Sequence, residues 1–119
     1  MIERTKTNHR MSQIVQHGGL VYLSGQVPTD ANATIGAQTA SVLGKIEGLL
    51  KEAGTSSARI LSATIYLADI SDFAAMNAVW DGWFAQGQAP ARTCVEAKLA
   101  RAGIGVEITT IAAQEEPKE

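Results

Sequence analysis

Pro90-Ala91-Arg92-Thr93-Cys94-Val95-Glu96, followed by Val106-Glu107-Ile108-Thr109-Thr110-Ile111-Ala112, is the stretch on which the reading of this chain turns. Both runs alternate side chains at the period of a β-strand, with β-branched residues throughout. The expected strands run over residues 92–99 and 104–113, as neighbours joined by Ala100-Arg101-Ala102-Gly103. Alternation puts Arg92, Cys94, Glu96 and Lys98 on one face of the first strand. In the second strand Glu107 shares a face with Gly105, Thr109 and Ile111. The pair thus offers one guanidinium and one carboxylate on adjoining strands.

Upstream, residues 12–24 read as a hairpin. Gln13-Ile14-Val15-Gln16-His17 and Leu20-Val21-Tyr22-Leu23-Ser24 flank Gly18-Gly19, a pair that accepts the positive φ of a two-residue turn. That register sets Val15 opposite Tyr22 and Ile14 opposite Leu23. Apolar residues at Val42, Ile46, Leu49, Leu50 and Ala53 have helical spacing, predicting a helix over 36–53 that stops at Gly54. Residues 60–68 carry apolar groups on both faces, as a central strand covered on one side by helices and on the other by protein would. Ser71 is expected to cap a second helix, with Asp72 in its first turn and a stripe of Phe73, Met76, Trp80, Trp83 and Phe84. Asn77 lies on the apolar side of that helix, where its amide needs partners. The order is β-β-α-β-α-β-β, an α+β domain with helices on one face of a mixed sheet, followed by a charged tail over 114–119.

The 119 residues are enough for one domain, 1–119, whose folding removes about two thirds of the unfolded chain's surface from water. Hydrophobic residues make up 45% and charged residues 18%, a globular balance. Ten basic and twelve acidic side chains give a net charge of −2, so no global positive field attracts a polyphosphate, and nucleic acid is not an expected partner. The polar start and the lack of a long apolar run predict a cytoplasmic protein without membrane association. One cysteine excludes an internal disulfide. His9 and His17, far from Cys94 in the chain, have no metal-ligand spacing, so neither metal nor organic cofactor is expected.

Arg92 presents a planar fork suited to bidentate binding of a small carboxylate. Glu107 could orient or deprotonate a water. A structural ion pair, or two solvated side chains, is the plain alternative. A nucleophilic role for Cys94 would need an adjacent base that the sequence does not reveal, so its backbone N–H is the better candidate for ligand contact.

The two quoted runs resemble the terminal signature of the RidA (YjgF-type) family of reactive-intermediate deaminases. Val21 to Pro28 is similar to that family's apolar strand with Ser-Gly-Gln-x-Pro, and Asp72-Phe73-Ala74-Ala75-Met76-Asn77 to its Asp-Phe-x-x-x-Asn helix. Trp80-Asp81-Gly82-Trp83 and the Met11-Ser12-Gln13 entry resemble the YoaB-like branch. The resemblance implies a chorismate-mutase-like fold assembled as a homotrimer with ligand clefts between subunits. It implies cofactor-free hydrolysis of enamine and imine intermediates such as 2-aminoacrylate to 2-oxo acids and ammonia. In that scheme Arg92 grips the substrate carboxylate and Glu107 positions the water. Gly25 and Cys94 give backbone contacts, and Ile14 stands where the archetype has a cleft-lining tyrosine. A small-carboxylate-binding or regulatory trimer with little turnover is the alternative, and an endoribonuclease or translation inhibitor the weakest reading.

Overall fold

Two positive-φ residues, Gly18 at 60° and Gly19 at 83°, let the chain reverse between β2 (Ser12–His17) and β3 (Leu20–Leu23). Ile14 then pairs with Leu23 and Val15 with Tyr22, the expected register. In the computed structural model, which describes residues 1–115, this hairpin is extended on its outer side by β1 (Glu3–Thr7), antiparallel to β2. The sequence reading missed β1. Its Glu-Arg-Thr-Lys-Thr carries no apolar side chain, and the strand is held by backbone pairing at an edge where side chains face water.

α1 (Ile35–Glu52) starts at Thr34, whose hydroxyl accepts from the Ala37 N–H, and ends at Ala53 before Gly54 at φ 83°. Its stripe of Val42, Leu43, Ile46 and Leu50 is buried, and truncating one of these to alanine removes about 2–5 kcal/mol. β4 (Ile60–Leu67) has an irregularity between Ile60 and Ser62. That shift exchanges the faces of its first residues, so Ile60 is buried and Leu61 exposed. α2 (Phe73–Trp83) follows a 3-10 turn over Ile70–Asp72. Ser71 does not cap it. The Asp69 carboxylate accepts from the Ser71 N–H, fixing the turn before the helix. Of the expected stripe, Met76 and Trp80 are buried while Phe73 is exposed.

β5 (Ala91–Glu96) and β6 (Val106–Ala113) are not neighbours. The sheet order is β1-β2-β3-β6-β4-β5, with β4 antiparallel to β6 and parallel to the edge strand β5. A parallel pairing between β4 and β5 uses α2 as its crossover, the connection such pairs require. The element order is therefore β-β-β-α-β-α-β-β, six strands with both helices on one face. Val42, Ile46 and Leu50 of α1 and Met76 and Trp80 of α2 share one core with Ile65, Leu67, Val106 and Ile108 of the sheet.

The buried amide of Gln38 locks the loops to this core. Its Nε2 donates to the carbonyls of Ala31, Ala33 and Gly103, and its Oε1 accepts from the Gly105 N–H at 2.7 Å. No helix among the described residues is long and apolar enough to cross a membrane. The tail expected over 114–119 lies mostly outside the described residues.

Candidate functional site

Directly opposed residues in a sheet point to the same side. Arg92 opposes Ala63 on β4, and Ala63 opposes Thr110 on β6. Thr110 and Ala63 are buried beneath the helices, so Arg92 projects from the helix side. Glu107 opposes Tyr66, in the row of half-buried residues on the uncovered face. The two predicted chemical groups thus lie on opposite faces of the sheet, two strands apart. One copy of the chain cannot bring them to one small ligand.

Around Arg92 the structure assembles more than the sequence reading named. Its Nη1 donates to Asn77 Oδ1 at 2.7 Å, which answers the partner question raised by that helical amide. Its Cζ lies 5.2 Å from the centroid of Trp80 and 5.6 Å from that of Phe73, within range of a cation–π attraction worth about 0.5–1 kcal/mol each. Phe73 and Trp80 had been read as core stripe alone. The signal for their second role was the position of Asn77 between them. Among the described residues the ion pair is Lys6 with Glu52, and Arg92 has no carboxylate partner.

β5 is an edge strand. The Ala97 N–H donates to Leu67 O, and alternation in a parallel ladder turns the N–H groups of Val95 and Thr93 the same way. Those of Arg92, Cys94 and Glu96 face the open edge. The Cys94 N–H and the Arg92 fork therefore flank one unpaired margin, where a carboxylate would meet donors from both. The Cys94 thiol packs against the core. Burial pushes its pKa above the ordinary value, outweighing the opposite pull of the Arg92 charge.

On the other face, Glu107 and Gly25 touch. A methyl group at Gly25 would run into the Glu107 carboxylate, so glycine there leaves the carboxylate its space. The segment carrying Gly25 is tied to β6 by reciprocal backbone bonds between Gln26 and Ile108 at 2.9 and 3.1 Å. Ile14 belongs to neither group. Its side chain is 1% exposed and lies in the core facing Leu23, so the expectation that it lines a cleft is corrected: alternation turns it toward the helices. His9 and His17 are both exposed, at opposite ends of β2. Among the described residues no three His, Cys, Asp or Glu side chains gather as a metal site would need.

A groove of about 600 Å³ lies at the end of β5, lined by Ala68 and residues 96–104 rather than by Arg92 or Glu107. The two halves of the predicted site are open surfaces in the single chain.

The family model described as Endoribonuclease L-PSP matches residues 1–114. A RutC family protein of Haemophilus ducreyi is 42% identical over 95% of this chain and 97% of its own. The RutC family protein YoaB of Escherichia coli is also 42% identical, over 94% and 97%. The crystal structure of a YjgF family member from Neisseria meningitidis superposes with a TM-score of 0.95 at 45% identity, covering 98% of each chain. With likeness extending through both halves of the site and the whole sheet, the chain belongs to the RidA/YjgF family, in which curated relatives carry the name RutC.

Proposed function

We propose that this protein is a cofactor-independent hydrolase that deaminates small reactive enamine and imine acids of the 2-aminoacrylate type, working as a homotrimer with clefts between subunits. The observation that carries the reading is the Arg92 fork. It is aimed by Asn77, braced by two aromatic rings and unpaired with any carboxylate among the described residues, beside the free N–H of Cys94. A guanidinium held this way matches a ligand carboxylate better than a structural ion pair does.

The chemistry needs little else. 2-Aminoacrylate takes a proton at its methylene carbon to give the imine. Water adds its oxygen to the imine carbon, the carbon–nitrogen bond then breaks, and nitrogen leaves as ammonia while a 2-oxo acid remains. Glu107 takes the proton from water and returns it to nitrogen. Since Glu107 and Arg92 face opposite sides of one sheet, Glu107 and Gly25 come from a neighbouring copy. The uncovered face supports such an assembly. Tyr22, Leu61 and Val95 are each at least 40% exposed there, and an apolar sheet face of this kind is normally buried against protein.

The test is to generate 2-aminoacrylate with a pyridoxal-phosphate enzyme and follow pyruvate release with and without the protein. Acceleration supports the hydrolase. Binding of pyruvate without acceleration would leave a carboxylate-binding trimer instead. A stable monomer in light scattering at micromolar concentration would refute the intersubunit cleft. The family model's name also raises RNA cleavage, but the net charge of −2 supplies no basic field, and His9, in the bend before β2, and His17, at the end of β2, are both exposed.

A further inference from the structure

We propose that a second ligand site, for a small oxyanion, lies on the helix side of the sheet between α1 and the β1–β2 edge. A groove of about 480 Å³ opens there. Lys45, Gly48, Leu49 and Glu52 form its helical wall, spaced as one stripe of α1. The opposite wall is the amides of Gln13 and Gln26.

A donor set suits such a ligand, and two further features shape the groove around it. Lys45 Nζ is drawn back onto the Val27 carbonyl at 2.7 Å, which fixes the ammonium at the groove and leaves its other protons free. Gln13 Oε1 accepts from both Gln26 Nε2 at 2.8 Å and Ser24 Oγ at 2.9 Å, so its amide NH₂ is oriented and carries no bond within the described residues. A fixed ammonium beside an oriented amide NH₂ is a complement to a carboxylate or phosphate oxygen pair. The first of these features is Gly48. In the middle of a helix glycine is unfavourable, and a Cβ there would meet nothing within 4 Å, so its absence keeps the groove open without serving packing. The other is Lys6, a non-glycine residue at φ 55°, a conformation retained where surroundings impose it. From this bend Lys6 reaches across to Glu52 at 3.5 Å, closing one end of the groove with a cation that an arriving anion can recruit.

The groove is linked to the site of the proposed hydrolysis. Ser24 and Gln26, which bind Gln13, bracket Gly25, and Gly25 touches Glu107. An anion that draws on the Gln13 amide acts on the segment that sets the space around that carboxylate. This coupling rests on the proposed function, whereas the binding site does not.

The experiment is amide chemical-shift mapping of the assembled, full-length protein titrated with inorganic phosphate, with succinate, and with sodium chloride at equal ionic strength. We expect saturable shifts at Gln13, Gln26 and Gly48 with at least one oxyanion and none with chloride, spreading to Gly25 and Ile108. The preferred anion identifies a phosphate or a carboxylate ligand. Gly48→Leu, which fills the groove on a face where nothing collides, abolishes the saturable shifts, and Lys45→Met weakens binding about tenfold or more. Shifts that persist unchanged in folded Gly48→Leu, or that track ionic strength in every titration, overturn the site. Deamination rates with and without the anion are read separately: binding without a rate change removes the coupling and leaves the site.

Discussion

Arg92→Lys is the substitution that most directly interrogates the site. The guanidinium is held by three contacts at once: the 2.7 Å bond to Asn77 and the rings of Trp80 and Phe73 at 5.2 and 5.6 Å. These fix its plane, so that two parallel N–H groups can meet a carboxylate. A lysine keeps the charge but has no plane, and its ammonium cannot satisfy Asn77 and a bidentate ligand in one geometry. Losing a charge-assisted contact costs about 2–3 kcal/mol, or roughly a hundredfold in kcat/KM for imine hydrolysis. Arg92→Lys should thus be nearly as damaging as Arg92→Ala, the two lying within about threefold of each other. For Arg92→Ala stability should move less, because the change discards two cation–π contacts of about 0.5–1 kcal/mol each but also relieves a half-buried cation that has no counter-charge among the described residues. The assay is coupled pyruvate release from enzymatically generated 2-aminoacrylate, with circular dichroism and light scattering as controls. If Arg92→Lys works like the parent, charge alone suffices and the fork argument fails. If Arg92→Ala also does, with fold and assembly unchanged, the arginine is structural and the mechanism is wrong.

Glu107→Gln should impair hydrolysis at least tenfold while pyruvate binding, measured by calorimetry, stays within about threefold, because in the proposed mechanism Glu107 acts on water and not on the carboxylate. Gly25→Ala should lower turnover at least tenfold with the circular dichroism spectrum unchanged, since the added methyl displaces the Glu107 carboxylate; unaltered turnover would show that its placement does not matter. Cys94, whose thiol is pushed up by burial, should remain protonated at neutral pH. Alkylation by iodoacetamide should therefore be slow at pH 7 and accelerate only as pH climbs past the usual thiol range. Cys94→Ser should keep activity within about threefold if its N–H is the ligand contact.

The parts of this fold that were legible in the sequence are those governed by local period. Gly18-Gly19 set a hairpin register that the structure reproduces pair for pair, and the spacing of Val42, Ile46 and Leu50 fixed α1 to within a residue at each end. What escaped was non-local. The charged β1 carries no hydrophobic pattern because it is held at an exposed edge by backbone pairing and a bond between the Thr7 and Ser12 hydroxyls. That β4 separates β5 from β6 is a choice among sheet orders that alternation within each strand does not address. The hub at Gln38 and the Gln13–Ser24–Gln26 network were invisible for a related reason: a buried amide looks like any surface glutamine until its acceptors arrive from distant segments. Asn77 stood out as an amide on the apolar side of its helix and Arg92 and Glu107 as charges on adjacent predicted strands, whereas Gly25 was indicated by the family resemblance alone. Ile14 was placed at a cleft by the resemblance alone, although the hairpin register that set it opposite Leu23 pointed to the covered face where it is buried.

β5 lies at the open edge of the sheet with Arg92 on its helix side. An ordinary edge strand of an α+β domain turns apolar side chains under the helices and polar ones to water. Here two residues depart from that order: Arg92 turns toward α2 beside Cys94, while Val95 looks out with Thr93 from the uncovered face beside Thr64 and Tyr66. Read as a monomer, those two residues are inside out. In the proposed assembly, burial of Val95, Leu61 and Tyr22 against another copy would remove the anomaly, and the same association would supply the Glu107 that Arg92 lacks. The inner row gives the guanidinium a floor of aromatic rings and an amide, at the edge over which the proposed neighbour would close. Assembly and chemistry are thus joined by one strand's alternation, so a variant that dissociates the copies, such as a charge at Val95, should abolish hydrolysis while leaving Arg92, Asn77 and their 2.7 Å bond in place.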